Sequence, residues 1–155
     1  LAALERAGLM GKIRAMPGGL DARVSEGGAN LSVGERQLLC MARALLRDAA
    51  VLLMDEATAS VDGEADRRIQ DMIRKDGFAD CTVLTIAHRL HTVAFYDRVL
   101  VLAKGAVTEY DTPLALLQQP TSAFRRLADG SGDVEGLLRL ASARAQHGVP
   151  QAGEP

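Results

Sequence analysis

The chain contains no tryptophan, three phenylalanines and two tyrosines, an aromatic share of only 3%. That excludes a platform of rings on which nucleic-acid bases stack. Neither sign of charge is in large excess: 18 basic residues against 20 acidic ones leave a net charge of −2. No non-specific nucleic-acid binding is expected from such a balance. Long apolar runs are missing too; residues 49–54 and 99–103 are of strand length, far short of the roughly 20 residues a membrane helix needs. Cysteine is scarce, and Cys40 and Cys81 stand alone in apolar segments. They read as reduced core residues in a reducing, cytosolic compartment, not as a disulfide or metal site. No signal-peptide pattern opens the chain. It starts on Leu1 inside helix-like spacing, without an initiator Met, and reads as a truncated piece. The most telling absence is a phosphate-cradling loop of the form GxxxxGK[ST]. The nearest candidate, Gly11-Lys12-Ile13, lacks the closing hydroxyl and has Arg6 where the earlier glycine belongs.

What is present is enough for one domain: 155 residues, 48% apolar and 25% charged, a size that buries roughly 68–70% of its unfolded surface. Apolar spacing predicts a helix over residues 1–13, ending near Pro17-Gly18-Gly19, and a loop over residues 20–30. Ser32 and Glu35 have capping-box spacing and open a helix to Arg47. That helix is expected to bury Leu38, Ala42, Leu45 and Leu46 and to expose Arg36, Arg43 and Arg47. Residues 51–54 form a continuous apolar strand expected to be covered on both faces. Asp62 caps a helix over residues 64–75 with inner positions Ile69, Met72 and Ile73. A second buried strand spans residues 82–86. Residues 98–110 read as a hairpin turning at Lys104-Gly105; short helices follow over 113–118 and 122–128, then an Ala-rich one over 134–145. The expected class is α/β with a predominantly parallel sheet.

Three places carry chemistry. The stretch Leu31-Ser32-Val33-Gly34-Glu35-Arg36-Gln37 can offer free backbone N–H groups and a close-approach glycine to an anion. Taken alone, the same residues are explained by mutual capping of Ser32 and Glu35, with Gly34 incidental. Val51-Leu52-Leu53-Met54-Asp55-Glu56 places two carboxylates where open α/β sheets bind ligands, at a strand's C-terminal end. Asp55 would hold Mg²⁺ through its waters, and Glu56 would take a proton from an attacking water; the alternative is a buried strand leaving for solvent through acidic residues. His88 follows the second strand on the same sheet edge, suited to hydrogen-bond a transferring phosphoryl group, although a lone histidine is commonly structural. Asp62 by itself is a helix cap.

In order and spacing, Leu-Ser-x-Gly-x-x-Gln, a strand ending Asp-Glu-Ala-Thr, Ser60-Val61-Asp62, and a strand ending in His88 resemble the ATP-binding cassette ATPases of transporters, over roughly residues 23–127. The wording of residues 30–40 and 80–90 resembles more narrowly the second cassette of C-subfamily, multidrug-resistance-associated exporters. The resemblance implies the C-terminal part of a RecA-like ATPase domain, with part of the helical signature subdomain in residues 1–47, a catalytic-core part in 48–130 and a tail in 131–155. Its Walker A half is missing. It further implies ATP contacts from Ser32, Val33, Gly34, Glu35 and Asp62, Mg²⁺ at Asp55, and catalytic roles for Glu56 and His88. Val24-Ser25-Glu26-Gly27-Gly28 resembles the segment that contacts the membrane domain in exporters. Implied partners are the transmembrane domains of the same transporter and a second nucleotide-binding domain packed head to tail, at the cytosolic face of a membrane. Glu35 stands where the family more often has Gln, so its charge must be engaged if a phosphate is to approach. The resemblance also implies a Walker A strand between the strands ending at Asp55 and Ile86, whose loss would leave a gap, bring the two together, or leave the chain marginally stable on its own. A soluble cassette ATPase of translation or DNA maintenance, and a non-catalytic interaction module, are the rival readings.

Overall fold

The computed structural model describes residues 1–55, 61–75, 77–78, 80–87 and 89–146. The chain divides into two units, Leu1–Ala87 and His88–Pro155, each with its own apolar core.

In the first unit, the spacing over residues 1–13 gives two short helices rather than the single one expected: α1 (Ala2–Arg6) and α2 (Met10–Ala15). Gly8 lies between them at φ +71°, a left-handed conformation that glycine adopts without steric penalty. The turn it makes places Ala7 and Leu9 in the core. Single 3₁₀ turns at Gly19–Asp21 and Glu26–Gly28 lead to α3 (Val33–Leu45), then β1 (Val51–Asp55), α4 (Gly63–Arg74) and β2 (Thr82–Ile86).

Strands β1 and β2 are parallel neighbours in unbroken register, from Val51 opposite Thr82 to Asp55 opposite Ile86. Of the outcomes expected from loss of the intervening strand, the second is observed: no gap is left, because the two strands hydrogen-bond to each other directly. A strand–helix–strand connection favours this placement, since consecutive parallel strands joined by a helix tend to lie side by side. Ile69 and Met72 of α4 are completely buried in the same core.

The expectation of coverage on both sheet faces is also corrected. Leu52, Met54 and Val83 pack into the core, whereas Leu53, Leu84 and Ile86 on the opposite face are 70%, 58% and 60% exposed. Within this unit, the described residues of α3 and α4 pack on the face that carries Leu52 and Met54. An apolar run reports what both faces require, not whether both neighbours are supplied.

Helix α3 buries Gly34, Leu38, Met41 and Ala42. Leu46, expected inside, lies past the helix end and is exposed. Cys40 is exposed, which corrects the reading of it as a core residue, whereas Cys81 is half-buried and packs against the core. Each residue turns about 100° around a helix, so Cys40 leaves the inner face that its neighbour Met41 occupies. Arg36, expected on the solvent face, is half-buried and donates to the carbonyls of Gly28 and Leu31 at 3.3 and 3.1 Å.

The second unit comprises α5 (Leu90–Val93), β3 (Val99–Ala103), β4 (Ala106–Asp111), α6 (Pro113–Gln118), α7 (Ala123–Ser131) and α8 (Val134–Gln146). Helix α5 is an element the sequence reading does not contain. The hairpin forms as expected, with positive φ at both Lys104 and Gly105, the signature of a type I′ turn. Phe124, Leu117 and Leu137 fill the core. The carboxylate of Glu109 on β4 accepts the N–H groups of Ala123 and Phe124 and the hydroxyl of Ser122, seating a charge on the start of α7. Burial works against that charge, but the Ala123 and Phe124 N–H groups outweigh it and hold the carboxyl below the usual glutamate range.

Replacing Glu109 with Ala leaves those donors unpaired and is expected to destabilise this unit by about 1–3 kcal/mol at pH 7. Because the native carboxyl titrates below its unfolded value, this stabilisation is complete above the ordinary glutamate range, about pH 4.3. It is lost as the pH falls through the lower native value. Urea midpoints of the wild type and variant should differ at pH 7, and the difference should shrink as the pH falls through the lowered native titration of Glu109.

Candidate functional site

Two helix starts are built from the same device. Ser32 caps α3: its hydroxyl accepts the Glu35 N–H at 3.1 Å, while the Glu35 carboxylate accepts the Ser32 N–H at 2.7 Å. Asp62 caps α4 by accepting the N–H groups of Glu64 and Ala65 at 3.0 and 2.8 Å. The Ser32 N–H holds Glu35 below the usual glutamate range, and the Ala65 N–H does the same for Asp62. Both carboxylates are thus kept ionised by backbone donors.

Gly34 brings the two starts together. A Cβ built there would lie 2.8 Å from the Ala65 Cβ and 3.1 Å from Asp62 Oδ2. Only a residue without a side chain lets α3 approach α4 this closely, so the reading of Gly34 as incidental fails on packing grounds alone. Val33 is exposed at the first helical position, and Ser32 is exposed beside it. Ser32, Val33, Gly34, Glu35 and Asp62 therefore share one neighbourhood.

Upstream, Asn30 organises the approach. Its side-chain oxygen accepts the Ser25 N–H and its amide donates to the Arg23 carbonyl, each at 3.0 Å. Arg36 ties the end of this loop to α3. Val24 and Glu26 are left exposed.

Asp55 ends β1 beside Ile86 on β2, so the chain leaves both strands at the same carboxyl-terminal edge. Glu56 follows Asp55 directly and His88 stands two positions after Ile86; both lie outside the described residues, as does Ser60. Among the described residues there is no group of three or more His, Cys, Asp or Glu able to cage a metal. The single exposed carboxylate of Asp55 instead suits a hard cation that retains most of its waters, which is how Mg²⁺ is commonly held.

One partner escapes sequence reasoning. Lys12 of α2 forms an ion pair with Glu35 at 3.1 Å. Twenty-three positions separate the two, and no periodicity links them; Lys12 enters the sequence only as part of a failed phosphate loop.

Residues 3–59 match the family model described as ABC transporter. ABC transporter C family member 3 of Dictyostelium discoideum is 51% identical over 133 residues, which is 84% of this chain and 9% of that protein. ATP-binding cassette sub-family C member 3 of Rattus norvegicus is 58% identical over 114 residues, 74% of this chain and 7% of its own length. The solved structure of a bacterial Atm1-family ABC exporter with ATP bound matches with a TM-score of 0.74 and 34% identity, covering 84% of this chain and 22% of that one. The chain thus spans a small part, from 7% to 11%, of such curated relatives. It belongs to the ATP-binding cassette family, as part of a nucleotide-binding domain. Within that family its sequence groups with the C subfamily, the multidrug-resistance-associated exporters.

Proposed function

We propose that, in the full-length protein, this chain supplies the signature-to-switch part of an ATP-hydrolysing cassette that drives export across a membrane. The observation that carries this reading is the junction at Gly34, where a capped, exposed helix start abuts Asp62 on the unit whose sheet ends in Asp55. In this reading residues 1–47 are the signature part, 48–130 the core part and 131–155 a tail. No described helix is long and apolar enough to cross a membrane, and the membrane-spanning partners are assigned to other parts of the same transporter.

The proposed chemistry is transfer of the ATP γ-phosphoryl group to water, which depends on positioning and charge stabilisation. The exposed start of α3, with Ser32 and Gly34, would meet the γ-phosphate of a nucleotide held by a second cassette packed head to tail. Asp62 would face that second cassette across the dimer. At the other nucleotide of the pair, which the Walker A part of this same cassette would hold, Glu56 would accept the proton of the attacking water and His88 would hydrogen-bond the transferring group. When bound at Asp55, Mg²⁺ would supply charge neutralisation at the phosphates. Binding of ATP would close the pair of cassettes and hydrolysis would reopen it, moving the attached membrane helices. The Val24–Gly28 stretch (residues 24–28) would contact those helices.

The test compares the full-length protein with residues 1–155 alone. The full-length protein should hydrolyse ATP. The isolated chain, without a GxxxxGK[ST] loop, should show negligible turnover and no calorimetric ATP binding tighter than about 1 mM, a threshold near −4 kcal/mol of binding free energy. Micromolar affinity of the isolated chain for Mg-ATP would refute this division of the site.

A further inference from the structure

Resting on the reading of α3 as an ATP-facing helix start, we infer that Lys12 is the positioning residue that makes a carboxylate tolerable there. Glu35 brings a full negative charge into the first turn of α3, where the proposed γ-phosphate would approach. Its two oxygens are separately engaged: Oε2 accepts the Ser32 N–H at 2.7 Å and Oε1 meets Lys12 Nζ at 3.1 Å. The carboxylate is thereby turned back along the cap, and its charge is balanced by a cation from another helix.

The placement of Lys12 comes from the core. Leu9, the residue before α2, is 4% exposed, and Ile13, immediately after Lys12, packs against the first unit's core. These anchors hold α2 so that Lys12 points at Glu35 without itself being buried. The Lys12 and Glu35 side chains are 39% and 24% exposed, so the pair contributes little to folding. Its importance lies in the local field: removing the lysine would leave an uncompensated carboxylate in the first turn of α3, where the γ-phosphate is proposed to approach. Glutamine at position 35 would preserve the capping geometry without the charge, and would therefore make Lys12 dispensable.

The experiment is a double-mutant cycle in the full-length protein, reading Mg-ATP hydrolysis against ATP concentration. Lys12→Met should raise KM for ATP roughly three- to tenfold, the scale of one unit charge acting over a few ångströms through water. It should change kcat little, because the effect is on occupancy and not on the water-activating groups. Lys12→Arg should retain the original KM. In the Glu35→Gln background, Lys12→Met should have no effect on KM. Gly34→Asp serves as the control for the underlying site and should abolish hydrolysis. An equal KM effect of Lys12→Met in both backgrounds, or a fall in kcat instead, would assign Lys12 a structural role and overturn the inference. An unchanged KM with Gly34→Asp inactive would overturn the inference and leave the site reading standing. Full turnover in Gly34→Asp would remove the site reading itself.

Discussion

Glu56→Gln in the full-length protein is expected to lower ATP hydrolysis by about 100-fold or more while ATP binding persists. Gln retains the length and shape of Glu but cannot accept a proton at neutral pH, and removing a positioned general base commonly costs 10²–10⁴ in rate, here taken as about 10² at least. Phosphoryl transfer is otherwise governed by positioning, which this substitution leaves in place. The variant should therefore accumulate in the ATP-closed state. Phosphate release and retained nucleotide, measured on the same preparation, separate the two effects: release should fall while retention rises. Normal turnover would assign the base elsewhere. A variant that neither binds nor hydrolyses would mean that Glu56 acts in holding ATP.

Gly34 is expected to be nearly as intolerant, for two reasons that can be separated. Gly34→Ala forces a methyl to 2.8 Å from the Ala65 Cβ and 3.1 Å from Asp62 Oδ2. The first of these neighbours is anchored to the α4 backbone and cannot swing away. Overpacking of this kind costs about 1–3 kcal/mol, so the apparent unfolding temperature should drop by several degrees. Combining it with Ala65→Gly removes the opposing methyl and should recover part of that stability, less the roughly 0.5–1 kcal/mol cost of glycine within a helix. If Gly34 also admits a phosphate to the start of α3, the double variant should regain stability without regaining hydrolysis. Recovery of both would assign Gly34 to helix packing alone.

The outcomes along the chain divide by the range of the interactions involved. The Ser32–Glu35 capping box, the Asp62 cap, the Lys104-Gly105 turn and the inner positions Ile69 and Met72 were all legible, because each is written within a few consecutive residues or one helical period. The same holds for strands β1 and β2, read from the apolar runs at residues 51–54 and 82–86. Where reading failed, a local pattern was asked to report on distant neighbours. Residues 1–13 keep a helical period, yet Gly8 interrupts it so that Ala7 and Leu9 reach the core. Arg36 looks like a surface charge until the folded loop presents the carbonyls of Gly28 and Leu31.

By itself, then, the amino-acid order determined the helix caps, the places of the strands, and the succession of chemical groups that marks a cassette ATPase, since all of these depend on short-range geometry. Tertiary structure alone decided that β1 pairs directly with β2, that Leu53, Leu84 and Ile86 stay exposed among the described residues, that Gly34 is wedged against Ala65, and that Lys12 balances Glu35. Those contacts join residues tens of positions apart, and their geometry exists only once the core has set the distances between the elements that carry them.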